Sequence, residues 1–176
     1  MRENELSWMI GGPAGSGVNV SSEIFAKACV RAGLEVYSNV EHHSNIYGRH
    51  IFYRVRVSDE PISSHVEHVD LLLALDSETL FGNYEETDYQ RNIGHLHRLA
   101  PGGAVIVDAR ADIPRDALGR DDVTLLSLPF DDIVRSAVES GGAEYDTRHH
   151  SVMRNMVLIG GACSLLEFEI DRVVRV

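Results

Sequence analysis

The sequence predicts an α/β domain in three layers, built on a mostly parallel sheet. Three observations carry that reading. A short apolar strand runs directly into a glycine-rich turn and then into helical periodicity. Two later runs, residues 69–75 and 104–108, are apolar almost throughout, as strands buried on both faces are. Helical patterns separate most strands, so the connections read as crossovers.

Taken in order, residues 6–10 form the first strand and enter Gly11-Gly12-Pro13-Ala14-Gly15-Ser16-Gly17. Ile24, Phe25, Ala28, Cys29 and Ala32 then recur at helical spacing, with Ser21 or Ser22 as the cap and Gly33 as the stop. Leu34, Val36, Ser38 and Val40 alternate as a second strand, so this unit predicts a parallel pair joined by a right-handed crossover. In residues 51–57, Ile51, Tyr53, Val55 and Val57 share one face, and Phe52, Arg54 and Arg56 share the other. That alternation predicts a strand covered on one side.

Ser58-Asp59-Glu60-Pro61 breaks that strand. Weaker helical patterns follow the 69–75 run, around residues 77–81 and 88–99. Pro101-Gly102-Gly103 is a turn, residues 112–120 a loop and residues 123–128 a strand. A helix over 131–140 should turn Ile133, Val134, Ala137 and Val138 inward and end at Gly141-Gly142. Residues 152–166 form a mostly apolar helix, whose Gly160, Gly161 and Ala162 offer a small-residue surface for close packing.

The chain has 176 residues, which suits one compact domain over 1–176 with a core of its own. Hydrophobic residues make up 44%, which argues against disorder. The net charge of −11 disfavours nucleic acid and anionic membrane, so an anionic ligand needs a local patch of positive charge. Cys29 and Cys163 sit in apolar helical contexts and read as small buried side chains. Two thiolates cannot by themselves hold a four-cysteine iron–sulfur cluster. The N-terminus lacks a signal-peptide pattern and no apolar run approaches ~18 residues, so the expectation is a cytoplasmic chain that spans no membrane.

Two segments carry candidate site residues. Gly12-Pro13-Ala14-Gly15-Ser16-Gly17 lies between a strand and a helix, where backbone N–H groups and the positive helix end converge on one spot. Its spacing is G-x-x-G-x-G rather than the dinucleotide G-x-G-x-x-G, and no Gly-Lys-Ser/Thr follows. A tight turn for helix packing and an anion cradle both remain open. The second segment, residues 37–50, is polar and rich in imidazole, with Arg49 and His50 as its cations. It is either a solvated loop or a ligand loop.

The nine histidines do not assemble into a metal set: His42-His43 and His149-His150 are adjacent pairs, and His65 and His68 lack a completing ligand. No Ser-His-Asp order or Cys-His pair marks a nucleophile, so no catalytic residue is assigned.

Several stretches together resemble the γ-type domain of 2-oxoacid:ferredoxin oxidoreductases, in the pyruvate/ketoisovalerate oxidoreductase catalytic-domain family. Residues 7–18, Ser-Trp-Met-Ile-Gly-Gly-Pro-Ala-Gly-Ser-Gly-Val, are similar to that domain's opening, in the form fused ahead of the α domain. Ser44-Asn45-Ile46-Tyr47-Gly48-Arg49-His50 resembles the family's S-x-I-[R/K]-G-[G/R]-H loop. Asp70-Leu71-Leu72-Leu73-Ala74-Leu75-Asp76 resembles its D-L-L-[V/L]-A-[L/F]-D strand, and Pro101-Gly102-Gly103 and the Asn155…Gly160-Gly161-Ala162 helix follow in the family's order. Tyr47 stands where the family loop carries Arg or Lys, and Val40 where its archaeal form carries Arg.

The resemblance implies a Rossmann-like domain in an enzyme that decarboxylates a 2-oxoacid on thiamine diphosphate, passes electrons through iron–sulfur clusters to ferredoxin and forms an acyl-CoA. Thiamine diphosphate and clusters would lie in the α- and β-type partners, leaving this chain without a redox centre and inactive alone. Coenzyme A is the ligand the resemblance brings near this domain. The residues it would meet are Gly12, Gly15, Ser16, Gly17, Ser44, Asn45, Gly48, Arg49 and His50. Competing readings are a non-catalytic assembly module and an independent Rossmann-like nucleotide binder; pairing as a homodimer is left open beside the main reading.

Overall fold

A computed structural model of the chain describes residues 5–42, 50–82, 94–142 and 149–167. The elements are β1 (Glu5–Pro13), α1 (Val18–Arg31), β2 (Glu35–His42), β3 (His50–Ser58), β4 (Val69–Ala74), α2 (Ser77–Phe81), β5 (Leu99–Asp108), β6 (Thr124–Leu128), α3 (Phe130–Ser140) and α4 (His150–Leu165). Short 3-10 turns at Leu96–Arg98, Ala109–Ala111 and Arg115–Leu118 fill the connections.

The six strands form one sheet in the order β2-β3-β1-β4-β5-β6. The pairs β1–β4, β4–β5 and β5–β6 are parallel, while β3 is antiparallel to both neighbours. The mostly parallel α/β architecture is thus as the sequence predicts. Period-two alternation divides the strands between two cores. Trp8, Ile10, Leu71, Leu73, Ala104 and Ile106 pack against α1 and α4. Met9, Leu72, Ala74, Val105 and Val107 pack on the opposite face with Leu80 of α2 and Leu118. Trp8 meets Phe25 of α1 edge-on, ring centroids 4.9 Å apart, in the first of these cores.

Four local expectations need correction. First, β1 and β2 do not pair: β3 lies between them, with Pro13 opposite His50 and Ile51 opposite His42. β2 takes the edge because Glu35, Tyr37, Ser38 and Asn39 are exposed there, as polar edge strands are.

Second, β3 is covered on both faces rather than one. Phe52 joins the second core, and Arg54 is 7% exposed because it is paired and hydrogen-bonded. Its guanidinium donates to Glu41 at 3.2 Å and to the carbonyl oxygens of Val66 and Glu67. Arg56 pairs with Glu5 at 2.6 Å. Arginines that read as a solvent face are therefore desolvated by partners distant in sequence.

Third, Ser21 and Ser22 do not cap α1; their hydroxyls donate back to the carbonyls of Gly17 and Val18 inside the helix. Fourth, in α3 Val134 is buried but Ile133 and Ala137 are exposed. The helical pattern over 88–99 lies largely outside the described residues, and Leu99 already belongs to β5. Cys29 and Cys163 are both buried and free, and burial pushes their thiols up to about 12 and about 11.

Candidate functional site

The carboxyl ends of β1, β4, β5 and β6 share one sheet edge with the amino end of β3. The chain leaves β1 through α1 toward β2, and leaves β4 through α2 toward β5, on the other side of the sheet. The ends of β1 and β4 are thus the topological switch point of the sheet, the place where open α/β sheets bind ligands.

Gly12 lies within β1 rather than in the turn. A Cβ at Gly12 would stand 2.5 Å from Leu75 Cδ1, so its small size serves close packing. The turn itself spans residues 14–17, with Ser16 N–H donating to the Pro13 carbonyl at 3.0 Å. Pro13 and Gly15 are exposed. Gly15 and Gly17 both have φ near 88°, in the left-handed region that favours glycine.

Gly17 is the N-cap of α1, no side chain caps that end, and its first turn carries no acidic residue. The first N–H groups of a helix have no partner within it, so this end can donate to a ligand. Ser16 Oγ and Asn19 Oδ1 are buried there without a hydrogen-bond partner among the described residues. The loop is anchored from behind by α4: Asn155, 1% exposed, donates from Nδ2 to the Ser16 carbonyl at 2.7 Å. A polar residue inside an apolar helix is the sequence signal for that anchor.

His50 enters the same edge opposite Pro13 and is 7% exposed. Its Nε2 lies 2.7 Å from Asp76 Oδ2 and its Nδ1 3.2 Å from Glu78 Oε1. Burial disfavours the charged ring, but the hydrogen bond and charge of Asp76, with Glu78, outweigh it and raise the pKa above its ordinary value. Asp76 is held below the usual carboxylate range: burial acts upward, and the His50 hydrogen bond and charge, with the Thr79 donors, act downward more strongly. Its second oxygen caps α2 by accepting from Thr79 N and Oγ1, each at 3.0 Å. Of the two cations the sequence reading assigned to a ligand, His50 is therefore already held by two carboxylates.

A second cluster, not foreseen from sequence, stands at the ends of β5 and α3. Asp108, 3% exposed, accepts from the Arg110 backbone N–H and guanidinium at 2.9–3.1 Å and from Arg154 Nη2. Asp131 in the first turn of α3 meets Arg110 at 2.6 Å, His150 at 3.1 Å and Arg154 at 3.2 Å. Burial acts to raise the Asp108 pKa, and its Arg110 and Arg154 partners more than reverse this, holding it below the usual range. Arg154 also lies over the Phe130 ring, 5.7 Å from its centre.

Of the sequence-predicted site residues, Gly12, Gly15, Ser16, Gly17 and His50 gather at this edge, while Ser44, Asn45, Gly48 and Arg49 lie outside the described residues. The described residues hold no group of three or more His, Cys, Asp or Glu placed to bind a metal ion. No described helix is long and apolar enough to cross a membrane.

The profile of the family described as pyruvate ferredoxin/flavodoxin oxidoreductase matches residues 7–175. A 2-oxoacid:ferredoxin oxidoreductase subunit alpha of Saccharolobus solfataricus is 42% identical over 81 residues, which is 46% of this chain and 13% of that protein. A second subunit alpha, from Aeropyrum pernix, is 36% identical over 104 residues, covering 59% of this chain and 14% of that one. The chain thus spans only a small part of the curated relatives it matches.

Among solved structures, 2-oxoglutarate:ferredoxin oxidoreductase from Magnetococcus marinus, with 2-oxoglutarate, coenzyme A and succinyl-CoA bound, aligns with a TM-score of 0.72 at 23% identity. The alignment covers 98% of this chain and 26% of that one. The gamma subunit of a keto/oxoacid ferredoxin oxidoreductase from Geobacter sulfurreducens PCA aligns at 0.65 and 17% identity, over 96% of this chain and 82% of that one. At such identities these two likenesses speak for the fold. With the family profile spanning nearly all of the sequence, the chain belongs to the pyruvate ferredoxin/flavodoxin oxidoreductase family.

Proposed function

We propose that this chain is the γ-type component of a 2-oxoacid:ferredoxin oxidoreductase, supporting CoA-dependent oxidative decarboxylation of a 2-oxoacid without a redox centre of its own. The observation that carries the reading is the uncapped α1 terminus at the switch point of the sheet, with the buried Ser16 hydroxyl unpartnered among the described residues. Backbone donors converging there suit a phosphate or another anion.

Coenzyme A, bound in the Magnetococcus marinus relative, is a ligand of that chemistry. Gly15 and Gly17 would hold a phosphate through main-chain N–H groups and Ser16 through its hydroxyl, with Ser44, Asn45, Gly48 and Arg49 as the remaining proposed contacts. When bound, CoA supplies the thiol that accepts the acyl group. This chain's part is to bind and orient it, with Asn155 fixing the loop that does so. His50 holds the rim rather than the ligand, since its ring is committed to Asp76 and Glu78.

The residues do not fit an iron–sulfur cluster: the chain has two cysteines, both buried in the core with raised pKa. Thiamine diphosphate and clusters would therefore come with α- and β-type partners, through which electrons reach ferredoxin.

Co-expression with the thiamine-binding subunits of the same host tests this. A complex that reduces ferredoxin in the presence of a 2-oxoacid and CoA, and loses that activity without this chain, is expected. A well-folded complex inactive with every 2-oxoacid tried would overturn it.

A further inference from the structure

Helices α3 and α4 diverge to leave an open apolar groove of about 700 Å³. Ile133, Val134 and Val138 form one wall, Met153, Met156 and Val157 the other, and among the described residues Ser164 is the only one with a polar side chain in the lining. Ile133 is 38% exposed. Two neighbouring glycines on α4 show why the groove is a surface and not a packing defect. A Cβ on Gly161 would meet Leu128 Cδ1 at 3.0 Å and Ile106 at 3.4 Å, so Gly161 lets α4 lie close on the sheet. A Cβ on Gly160 would meet nothing within 4 Å. Among the described residues Gly160 is small without any neighbour that needs it small, and a contiguous apolar concavity of this kind marks a contact surface.

We propose that this groove receives an apolar helix from the catalytic remainder of the oxidoreductase, with basic residues flanking its apolar stripe. The inference rests on the functional reading above and adds the place of docking. The occupant follows from length and charge. The aligned stretches make up 13–14% of the curated relatives, and the aligned part of the Magnetococcus marinus chain 26%, so most of each longer chain lies beyond the matched stretch. The exposed Asp132 and Glu139 of α3, against one exposed Arg135, and the net charge of −11 favour a basic rim on the incoming helix. A third helix seated between two others is a common packing solution, and Gly160 gives its backbone room for close approach.

The test uses the chain co-expressed with the thiamine-binding subunits and read by size-exclusion co-elution. Gly160→Phe fills the groove from its open wall, and Ile133→Asp places a charge in it. Each variant alone should keep the helical circular dichroism of the natural chain. Each should weaken assembly at least about ten-fold, as loss of a central anchor does. Lys27→Ala, on the exposed face of α1, should still assemble.

Normal co-elution of both groove variants would overturn this docking site and leave the functional reading standing. Failure of the natural chain to associate at all would sink both. A natural chain that instead forms dimers, returned to monomer by Gly160→Phe, would assign the groove to a second copy and overturn the proposed partner.

Discussion

Two ion-pair clusters stand on the same sheet edge and differ in what holds them. Around His50 the cation is an imidazole, 7% exposed, with Asp76 and Glu78 at 2.7 and 3.2 Å. Around Asp108 the cations are guanidiniums, and the buried member is the carboxylate. The first cluster can lose its charge near neutral pH, whereas the second cannot until acid protonates a carboxylate. Both spend their cations on the protein's own carboxylates. The comparison teaches that these cations are committed, so the anion affinity proposed for the Gly15–Gly17 turn has to come from other donors.

Breaking the Asp108 cluster should give the largest effect. Asp108→Asn removes the charge facing Arg110 and Arg154 at a buried position and should cost about 2–3 kcal/mol in urea unfolding. Because the folded-state pKa of Asp108 is depressed, its contribution is present above the unfolded value of 3.8 and is lost as pH falls through the lower folded value. A loss of the same size at pH 2 as at pH 7 would contradict that account.

The loop between the clusters should respond next. Gly17→Ala forces an L side chain to φ 88° and sets its Cβ 2.9 Å from Asn155 Nδ2, so a loss of about 1–2 kcal/mol is expected by thermal melting. Unchanged melting would show that the loop can relax away from α4.

The His50 cluster should give the smallest change and the sharpest pH signature. With its folded pKa raised above 6.5, the stability that protonated His50 contributes is complete below pH 6.5 and is lost as pH climbs through the folded value. The melting difference between the natural chain and His50→Gln, about 1 kcal/mol at pH 6, should therefore shrink toward pH 9. A difference independent of pH would mean the ring acts only by packing.

The sequence is most legible where the chain speaks locally. The continuous apolar runs of β4 and β5, and the strand–glycine–helix unit of β1 and α1, follow from period and composition alone. The placement of β3 between β1 and β2 is not local, because alternation shows which residues share a face but not which strand lies beside them. Arg54 and Arg56 read as exposed for the same reason: Glu41, Val66 and Glu5, which desolvate them, lie 8 or more residues away in every contact involved.

In α3 the spacing of Ile133, Val134, Ala137 and Val138 correctly marks an apolar face, yet only Val134 among them is buried. Periodicity reports that a face is apolar, not that this chain covers it. The glycine turn was readable as a site candidate from its place after a strand, but its clamp by Asn155 joins residues 139 positions apart. The Asp108 cluster links three elements separated by up to 46 positions, which no spacing rule reaches.

The central proposal is that the Gly15–Gly17 turn and Arg49 bind the phosphate-bearing ligand. Steady-state kinetics of the assembled oxidoreductase with varied CoA tests it directly, comparing the natural chain with Arg49→Ala. The account predicts that the KM for CoA rises about ten-fold or more, the loss of one charge-assisted contact, while kcat at saturating CoA stays near that of the natural enzyme. An unchanged KM for CoA, with assembly and kcat intact, would contradict it.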